Sequence, residues 1–246
     1  MKVLALYNIK GGVGKTAAAV NLAYLSASGG ARTLVWDLDP QGAASFYFRV
    51  KPKLKGGSGA LLEHKGGVER RIKATDYANL DLLPADFSHR NLDLFLDDRT
   101  GRKKQMRNLL RRLAGEYDYV FLDCAPSISL VSENVFRASN VLLIPTIPTT
   151  LSLRTLKQLQ KFLDDVRYAD LQLLPFFSMV DRRKRLHRDI MGSPAQRCDS
   201  VLRSFVPYAS DVERMGPERA VVDVFAPRGA AAHAFRLLWA EIQQKI

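Results

Sequence analysis

The chain has 246 residues, of which 47% are hydrophobic and 25% carry a charge. This composition is typical of a globular chain with a sizeable core, and it excludes disordered, collagen-like and coiled-coil proteins. Lysine and arginine number 37 against 25 acidic residues, which gives a formal net charge of +12. Such an excess favours a polyanionic partner: nucleic acid, an anionic membrane surface or phosphorylated ligands. Charge alone does not choose among these, and a surface that only aids solubility is a further alternative.

No apolar run approaches the roughly 18 residues that a membrane-spanning helix needs, and the first apolar stretch is too short for a signal peptide. We therefore expect a cytoplasmic protein. The two cysteines, Cys124 and Cys198, lie far apart and belong to no Cys-x-x-Cys motif. This spacing favours neither a disulfide framework nor a structural zinc site.

Short apolar runs recur along the chain, and each ends in a polar loop or one that contains proline or glycine. They predict buried strands at residues 3–7, 33–36, 80–83, 119–122, 141–144 and 173–177. Helical patterns occur at residues 17–28, 106–113, 130–137, 153–166 and 230–246. This alternation predicts a doubly wound α/β fold, a mostly parallel sheet with helices on both faces. We expect residues 1–246 to form a single domain, with flexible basic loops at 51–59 and 99–104.

A glycine-rich segment lies between the first predicted strand and the first predicted helix. It reads Lys10-Gly11-Gly12-Val13-Gly14-Lys15-Thr16. Glycines let the backbone N–H groups surround an oxyanion, and the start of the helix adds its positive dipole end. Lys15 would neutralise the β and γ phosphates, and the Thr16 hydroxyl would ligate Mg²⁺. We predict that residues 11–16 bind a nucleotide; the alternative is a turn that only joins strand to helix.

The segment differs from the pattern G-x-x-x-x-G-K-[ST], because Ile9 stands where that pattern has glycine and a second lysine, Lys10, follows it. It resembles the deviant Walker A motif of the ParA/MinD family of P-loop ATPases. The resemblance implies an ATP-dependent sandwich dimer in which Lys10 reaches the phosphates of the partner's nucleotide. An added cation would stabilise charge on the transferring phosphoryl group, as an arginine finger does in trans. Lys10 and Lys15 are thus predicted catalytic residues.

Two further segments place carboxylates at the ends of predicted strands. The second strand runs into the sequence DLDPQG, which begins at Asp37 and resembles the family's switch I. The resemblance implies that Asp37 lies near Mg²⁺ and that Asp39 orients or activates the attacking water; the alternative for Asp-x-Asp-Pro is a plain turn. Another strand runs into Asp123, which resembles a Walker B aspartate. A carboxylate at that strand end would hold Mg²⁺ beside the phosphate loop if the strands are neighbours.

The second half of the chain carries weaker signals. Pro207 lies in a Val-Pro-Tyr stretch that resembles a family landmark near the adenine. A basic run at residues 182–188 contains five cations and no acid, and the resemblance implies that ATP-bound dimers bind DNA there without sequence preference. The predicted DNA-binding residues are Arg182, Arg183, Lys184, Arg185, Arg188, Arg203 and Arg214. A second cluster between Arg102 and Arg112 is interpreted equally well as a solvated face.

These features and the resemblance favour a ParA-type ATPase. The resemblance implies that it uses ATP and Mg²⁺, hydrolyses ATP to ADP and phosphate, associates with the nucleoid, and positions or segregates a cargo. Its expected partners are a second copy of the chain, nonspecific DNA and a cargo-bound ParB-like activator that stimulates hydrolysis. The chief alternative is a MinD-type membrane-associated positioning ATPase, but residues 242–246 fit an interfacial helix poorly, so a membrane partner is not expected. An iron–sulfur protein would need paired cluster cysteines, and a small-molecule kinase or synthetase gives no reason for Lys10.

Overall fold

The computed structural model describes residues 1–62, 67–97, 101–166, 168, 171–193 and 201–246. Cys198 and part of the predicted loop at 99–104 lie outside these residues. Within them, one sheet contains the strands β1 Lys2–Leu6, β2 Thr33–Asp37, β3 Lys73–Ala74, β4 Leu80–Leu83, β5 Tyr119–Asp123, β6 Val141–Thr146, β7 Gln172–Val180 and β8 Phe205–Pro207. The strand order is β3-β4-β2-β5-β1-β6-β7-β8. Neighbouring strands are parallel except for β3, which pairs with β4 in the antiparallel sense.

Among the described residues, helices lie between most consecutive strands and after the last one. They are α1 Lys15–Ser28, α2 Ala43–Tyr47, α3 Gly57–Leu62, α4 Leu92–Asp97, α5 Gln105–Arg111, α6 Leu130–Ala138, α7 Thr150–Val166, α8 Arg185–Gly192, α9 Ser210–Glu218, α10 Val222–Phe225 and α11 Ala230–Gln243, with 3₁₀ helices at Glu69–Arg71 and Phe87–Asn91. None of these helices is both long and apolar enough to cross a membrane.

The central strands are buried on both faces, so their side chains divide between two hydrophobic layers. In β1, Leu4 and Leu6 pack in one layer with α1 and α11, whereas Val3 and Ala5 pack in the other with α5, α6 and α7. Alternation follows from the period of two in a β-strand. Helices therefore cover both faces of a mostly parallel sheet, and the predicted doubly wound α/β fold is confirmed.

The predicted elements differ from the structure mainly at their ends and in the shortest pieces. Strands β6 and β7 run two and three residues beyond their predicted ends, to Thr146 and Val180, and the predicted last helix ends three residues early, at Gln243. The predicted loop at 51–59 is too long because α3 begins at Gly57. A helix also begins inside the basic run, at Arg185. The prediction of a single domain over residues 1–246 stays a prediction.

Candidate nucleotide site and basic surface

The phosphate loop candidate joins β1 to α1 at the carboxyl edge of the sheet. Gly12 and Gly14 have φ values of 68° and 88°, in the left-handed region that favours glycine. A Cβ atom on Gly14 would lie 2.9 Å from the Ser178 Oγ, so this position also lacks room for a side chain. Helix α1 begins directly after it, at Lys15. The loop therefore has the curvature and the helix N-terminus of an oxyanion cradle.

Lys15 is held inside this loop. Its side chain is 7% exposed, and its Nζ donates to the Lys10 carbonyl oxygen at 3.1 Å. Burial lowers the pKa of Lys15, and the negative charge of Asp123 opposes that shift. An ammonium group in this position is a fixed positive charge at the centre of the loop, available to a bound anion.

Lys10 points in a different direction. Its Nζ lies 3.4 Å from the Ser152 Oγ on α7, and its backbone N–H donates to the Asn8 side chain at 2.9 Å. Among the described residues no carboxylate forms an ion pair with Lys10. The two lysines are five positions apart, but their ammonium groups lie in different places: that of Lys15 inside the loop and that of Lys10 beside α7.

The carboxylates Asp37 and Asp123 end two neighbouring strands in matching register, β2 and β5. Since β5 also pairs with β1, both lie beside the loop that follows β1. Asp123 is fully buried, and neither of its oxygens has a hydrogen-bond partner among the described residues. Burial and the neighbouring Asp37 raise the pKa of Asp123 well above its usual value, and the nearby Thr16 hydroxyl opposes this without reaching hydrogen-bond geometry.

Asp37 differs from Asp123 because donors already satisfy it. Its Oδ2 accepts hydrogen bonds from the Ser45 N–H at 2.8 Å and from the Ser45 hydroxyl at 2.7 Å. Burial still raises the pKa of Asp37 to about 6. The Asp39 carboxylate is partly exposed, and its Oδ1 accepts from the Gln41 N–H at 2.9 Å. Asp39 is therefore the carboxylate of the three with the most access to solvent.

Pro207 lies on the other side of the phosphate loop. Together with Gly12, Gly14, Ala17 and Tyr208 it lines a cleft of about 180 Å³ between α1 and the end of β8. Most of the lining is apolar, which suits the flat face of a purine base. The structure therefore brings Pro207 and the loop to a common cleft.

The predicted DNA-binding residues fall into two groups. Arg182 stacks on the Phe205 ring at 5.0 Å and shares a groove with Arg203, and the side chains of Arg183 and Arg185 are 85% and 88% exposed. Carboxylates lie close to the latter two, at 2.9 Å in Asp181 and at 3.5 Å in Asp189, respectively.

The remaining members of the basic surface are placed differently. Arg188 donates to the carbonyl oxygens of Arg182 and Arg183, and so fixes the turn that presents them. Lys184 precedes α8 and is exposed. Arg214 lies on α9, where it forms ion pairs with Asp211 and Glu218 and so is largely neutralised. Arg183 and Arg185 each have one acidic neighbour and are far more exposed than Arg214, whose side chain is 51% exposed and has two, so the geometry favours residues 182–188 and Arg203 over Arg214 as a polyanion contact.

Comparison with known proteins decides the family. Residues 1–174 match the family model described as an AAA domain. The chromosome partitioning protein ParA of Myxococcus xanthus is 34% identical over 167 residues, which make up 68% of this chain and 59% of that protein. The sporulation initiation inhibitor protein Soj of Bacillus subtilis is 29% identical over 98% of each chain. The chain belongs to the ParA/MinD family of P-loop ATPases, in its ParA branch.

The fold of this ParA-branch chain is shared with a protein of another reported activity. Cobyrinic acid a,c-diamide synthase from Mycobacterium smegmatis, solved with an ATP analogue and magnesium, has a TM-score of 0.86 and 28% identity. The match covers 99% of this chain and 94% of the synthase. Because one fold hosts several activities, function has to be argued from the site.

The acidic strand ends of this family member suit Mg²⁺. The described residues contain no group of three or more His, Cys, Asp or Glu side chains placed to hold a metal ion. Magnesium needs fewer, because it is usually held by one or two carboxylates, waters and substrate phosphates. Asp123 has two buried oxygens without a donor, and the Thr16 hydroxyl lies nearby. This donor set fits Mg²⁺, whereas the Asp37 carboxylate already accepts two hydrogen bonds from Ser45.

The Asp123→Asn substitution tests the assignment of Asp123 to a Mg²⁺ site, with the thermal midpoint of unfolding as the measurement. The isolated carboxylate is costly in the ligand-free protein because it is buried beside Asp37 and lacks a donor. An amide keeps buried polar atoms but cannot ionise, so it removes the like-charge repulsion from Asp37. Because the pKa of Asp123 is raised, the gain in thermal midpoint should grow as pH rises and Asp123 ionises, by roughly 2–4 °C for each ~1 kcal/mol of repulsion removed. Addition of ATP and Mg²⁺ should stabilise the variant less than the unmodified protein. A lower midpoint without ligand would contradict this account of Asp123.

Several contacts of the site were not predicted from the sequence. Ser45 binds Asp37 and also accepts from the Ala85 N–H at 3.0 Å, which ties α2 to the end of β4. Asn8 connects the phosphate loop to β6 through the Pro145 carbonyl oxygen at 2.8 Å. The position of Asn8, a polar residue directly after an apolar strand, was a usable signal; Ser45 had none.

Proposed function

We propose that this ParA-branch chain is a Mg²⁺-dependent ATPase that dimerises with ATP, binds DNA without sequence preference and positions a cargo. One observation carries the proposal: the Lys10–Thr16 segment meets the carboxylates of Asp37 and Asp123 at one edge of the sheet. In a chain of this family, that edge is where the nucleotide phosphates would bind.

The site residues divide the work of phosphoryl transfer. The backbone of residues 11–16 and the Lys15 ammonium hold the phosphates, while Thr16 and Asp123 hold Mg²⁺, which when bound neutralises charge on the β and γ phosphates. Asp39 orients the attacking water, since its carboxylate follows β2 and is open to solvent. Pro207 borders the base through its cleft with Gly12 and Gly14.

Dimerisation would give Lys10 its role. Within one chain the Lys10 ammonium contacts only the Ser152 hydroxyl among described residues, and no carboxylate neutralises it. Its charge is therefore available to the phosphates bound by a second copy. An additional cation at a transferring phosphoryl group stabilises the charge that develops there.

Lys10→Ala should separate nucleotide binding from dimerisation. Lys15 remains in place, so ATP affinity should stay within about threefold, but the dimer formed with ATP and Mg²⁺ should be lost because the phosphates miss their cross-interface cation. Size-exclusion chromatography with light scattering measures both states. Ser152→Ala is the matched control, since it removes only the hydroxyl that Lys10 contacts. Normal dimerisation of Lys10→Ala would refute the role in trans.

The proposed DNA contact rests on exposure and charge. Arg182 and Arg183 extend from the turn between β7 and α8, which Arg188 fixes through two carbonyl oxygens, and Arg185 is the first residue of α8. Arginines presented in this way bind backbone phosphates and carry no sequence information. Binding should therefore weaken steeply with salt.

Replacing Arg182, Arg183 and Arg185 with glutamine should weaken DNA binding equally for unrelated duplex sequences. Losing three phosphate contacts should reduce the slope of log K against log salt by about 2 to 3. Fluorescence anisotropy of the ATP-bound protein at several salt concentrations measures it. The control replaces three scattered exposed cations outside both basic clusters, Lys2, Lys161 and Lys245, with the same loss of charge. Equal slopes for the two variants would move the DNA contact elsewhere.

The cargo and its adaptor complete the proposal. In its ATP-bound form the dimer would lie on the nucleoid, in the cytoplasm. A cargo-bound ParB-like protein would stimulate hydrolysis and so release the dimer from the DNA. The relative in Myxococcus xanthus is a chromosome partitioning protein, and this similarity supports a role in segregation or positioning. The alternative MinD-type role needs an interfacial helix, whereas α11 buries Phe235, Leu238, Trp239 and Ile242 in the core.

A further inference from the structure

A second strongly basic concavity lies at the opposite end of the sheet from the basic run at 182–188. It is a cleft of about 490 Å³ beside β3. Six cations line it: Lys51, Lys53, Lys55, Arg70, Arg71 and Lys73. No carboxylate is among its described lining residues. We call it the β3 cleft.

Five of these cations have no acidic partner in the described part of the chain. The side chains of Lys51, Lys53, Lys55, Arg70 and Lys73 are exposed and form no ion pair there. The acidic residues that neighbour Arg70 and Lys73 in the sequence form ion pairs outside the cleft. The Glu69 carboxylate lies 3.9 Å from the Arg112 guanidinium, and the Asp76 carboxylate lies 3.6 Å from the Arg49 guanidinium. Uncompensated like charges on one surface repel each other, and a bound polyanion relieves that repulsion.

The cleft is built on a fixed scaffold. Arg71 is buried, and its guanidinium donates to the carbonyl oxygens of Lys55, Ala60 and Gly67, which joins three segments of the wall. The Leu54 N–H between two of the lysines donates to the Asp86 carboxylate at 2.8 Å. The cations are therefore presented together by an anchored backbone, which lowers the entropy cost of binding.

The chemistry of the lining favours a phosphate backbone over a membrane. Membrane-surface binding needs large apolar side chains beside the cations, and the lining contains only Val50 and Ala74 as apolar residues. There is no aromatic face for a free base either. A concave surface with five long cations that lack acidic partners is suited to the phosphates of a duplex, which need charge and no shape-specific pocket.

The β3 cleft is far from the basic run at 182–188. Strands β3 and β8 are the first and last of the eight in the sheet, so seven intervals of about 4.8 Å separate them by roughly 34 Å along the sheet. Lys73 pairs with Leu82 near the end of β4, and Arg182 follows the end of β7. The two basic surfaces therefore flank the phosphate loop along the carboxyl edge of the sheet.

We propose that the β3 cleft is a second contact surface for the phosphates of double-stranded DNA, separate from residues 182–188. The inference rests on the proposed function, because DNA is the partner assigned there. The loop that carries the cleft lysines also packs closely against the segment after β2. Gly42 and Pro52 are so near each other that a Cβ on Gly42 would lie 3.0 Å from the Pro52 Cβ. The nucleotide site and the cleft thus share one packed stretch of chain, so the ATP-bound protein is the form to test.

The test measures the salt dependence of binding to a labelled duplex in ATP and Mg²⁺. The cleft variant replaces Lys53, Lys55 and Arg70 with glutamine, and the control replaces Lys2, Lys161 and Lys245. The slope of log K against log salt should fall by about 2 to 3 in the cleft variant and by less than 1 in the control, with roughly tenfold weaker binding in the cleft variant at moderate salt. All variants should keep the thermal midpoint, since the replaced side chains are exposed.

A combined variant then establishes that the two surfaces are separate. Losses at distant sites add in log K, so combining the cleft variant with the glutamines at Arg182, Arg183 and Arg185 should give the sum of the two losses. A cleft variant that binds like the control overturns the inference while the proposed function stands. An unmodified protein that binds no DNA overturns the proposed function itself. Loss of binding to phosphatidylserine–phosphatidylcholine vesicles, with DNA binding intact, would assign the cleft to lipid and also overturn the inference.

Discussion

Lys15→Ala is expected to abolish ATP binding at physiological nucleotide concentrations. The Lys15 ammonium is the buried cation at the centre of the loop, 7% exposed and held by the Lys10 carbonyl oxygen. Truncating one member of a buried charge pair costs about 2–5 kcal/mol, which corresponds to roughly 30-fold to 4,000-fold in affinity. Titration of a fluorescent ATP analogue, or calorimetry, measures the loss.

Folding and binding can be distinguished in this variant. Burial already lowers the pKa of Lys15, so the ligand-free fold gains little from the charge and should keep its thermal midpoint. Stabilisation of the unmodified protein by ATP should disappear in the variant, because a ligand stabilises only the state that it binds. Lys10→Ala serves as the matched control. It also removes a lysine of this loop, but the Lys10 ammonium is proposed to contact the phosphates bound by the partner copy and not those bound by its own chain. Unchanged affinity in Lys15→Ala would place the nucleotide elsewhere.

The sheet was predictable because its strands are buried on both faces. Continuous apolar runs predicted the bounds of β1, β2, β4, β5 and β6 to within two residues at either end. A proline marked where one run fell short. Pro145 lies inside β6, although proline is rare in central strands, and the predicted strand stopped just before it. The two-residue β3 and three-residue β8 are too short to give a periodic signal.

The site was predictable where it is contiguous and unpredictable where it is assembled over distance. The loop residues follow one another along the chain, so their pattern is visible in one line. The contacts that orient them are not: Asn8 and Lys10 bond to Pro145 and Ser152, which lie more than a hundred residues away. Ser45 is close to Asp37 in sequence, but a serine in a short helix has no feature that marks it as a partner. The β3 cleft likewise combines a loop predicted to be flexible with a strand that was not predicted.

Asp39→Ala is expected to stop ATP turnover while ATP binding and dimerisation remain. The side chain lies beside the buried pair of Asp37 and Asp123 but is partly exposed, as a group that contacts a water must be. Removing a positioned base or water-orienting group typically costs about 10²-fold to 10⁴-fold in rate. Phosphate release should therefore fall at least about 100-fold, with ATP affinity within roughly threefold of the unmodified protein. Turnover near the normal rate would refute the assignment.

A second substitution separates this chemistry from a structural role. The Asp39 Oδ1 accepts the Gln41 N–H at 2.9 Å, so Asp39→Ala also loses a turn hydrogen bond. Asp39→Asn keeps an oxygen acceptor for that N–H and removes only the negative charge. If Asp39 acts on the water, the asparagine variant should be as inactive as the alanine variant; if Asp39 only shapes the turn, the asparagine variant should recover turnover. Because the dimer of an inactive variant cannot reset by hydrolysis, both variants should also stay bound to DNA longer after free ATP is removed, measured as a slower dissociation rate.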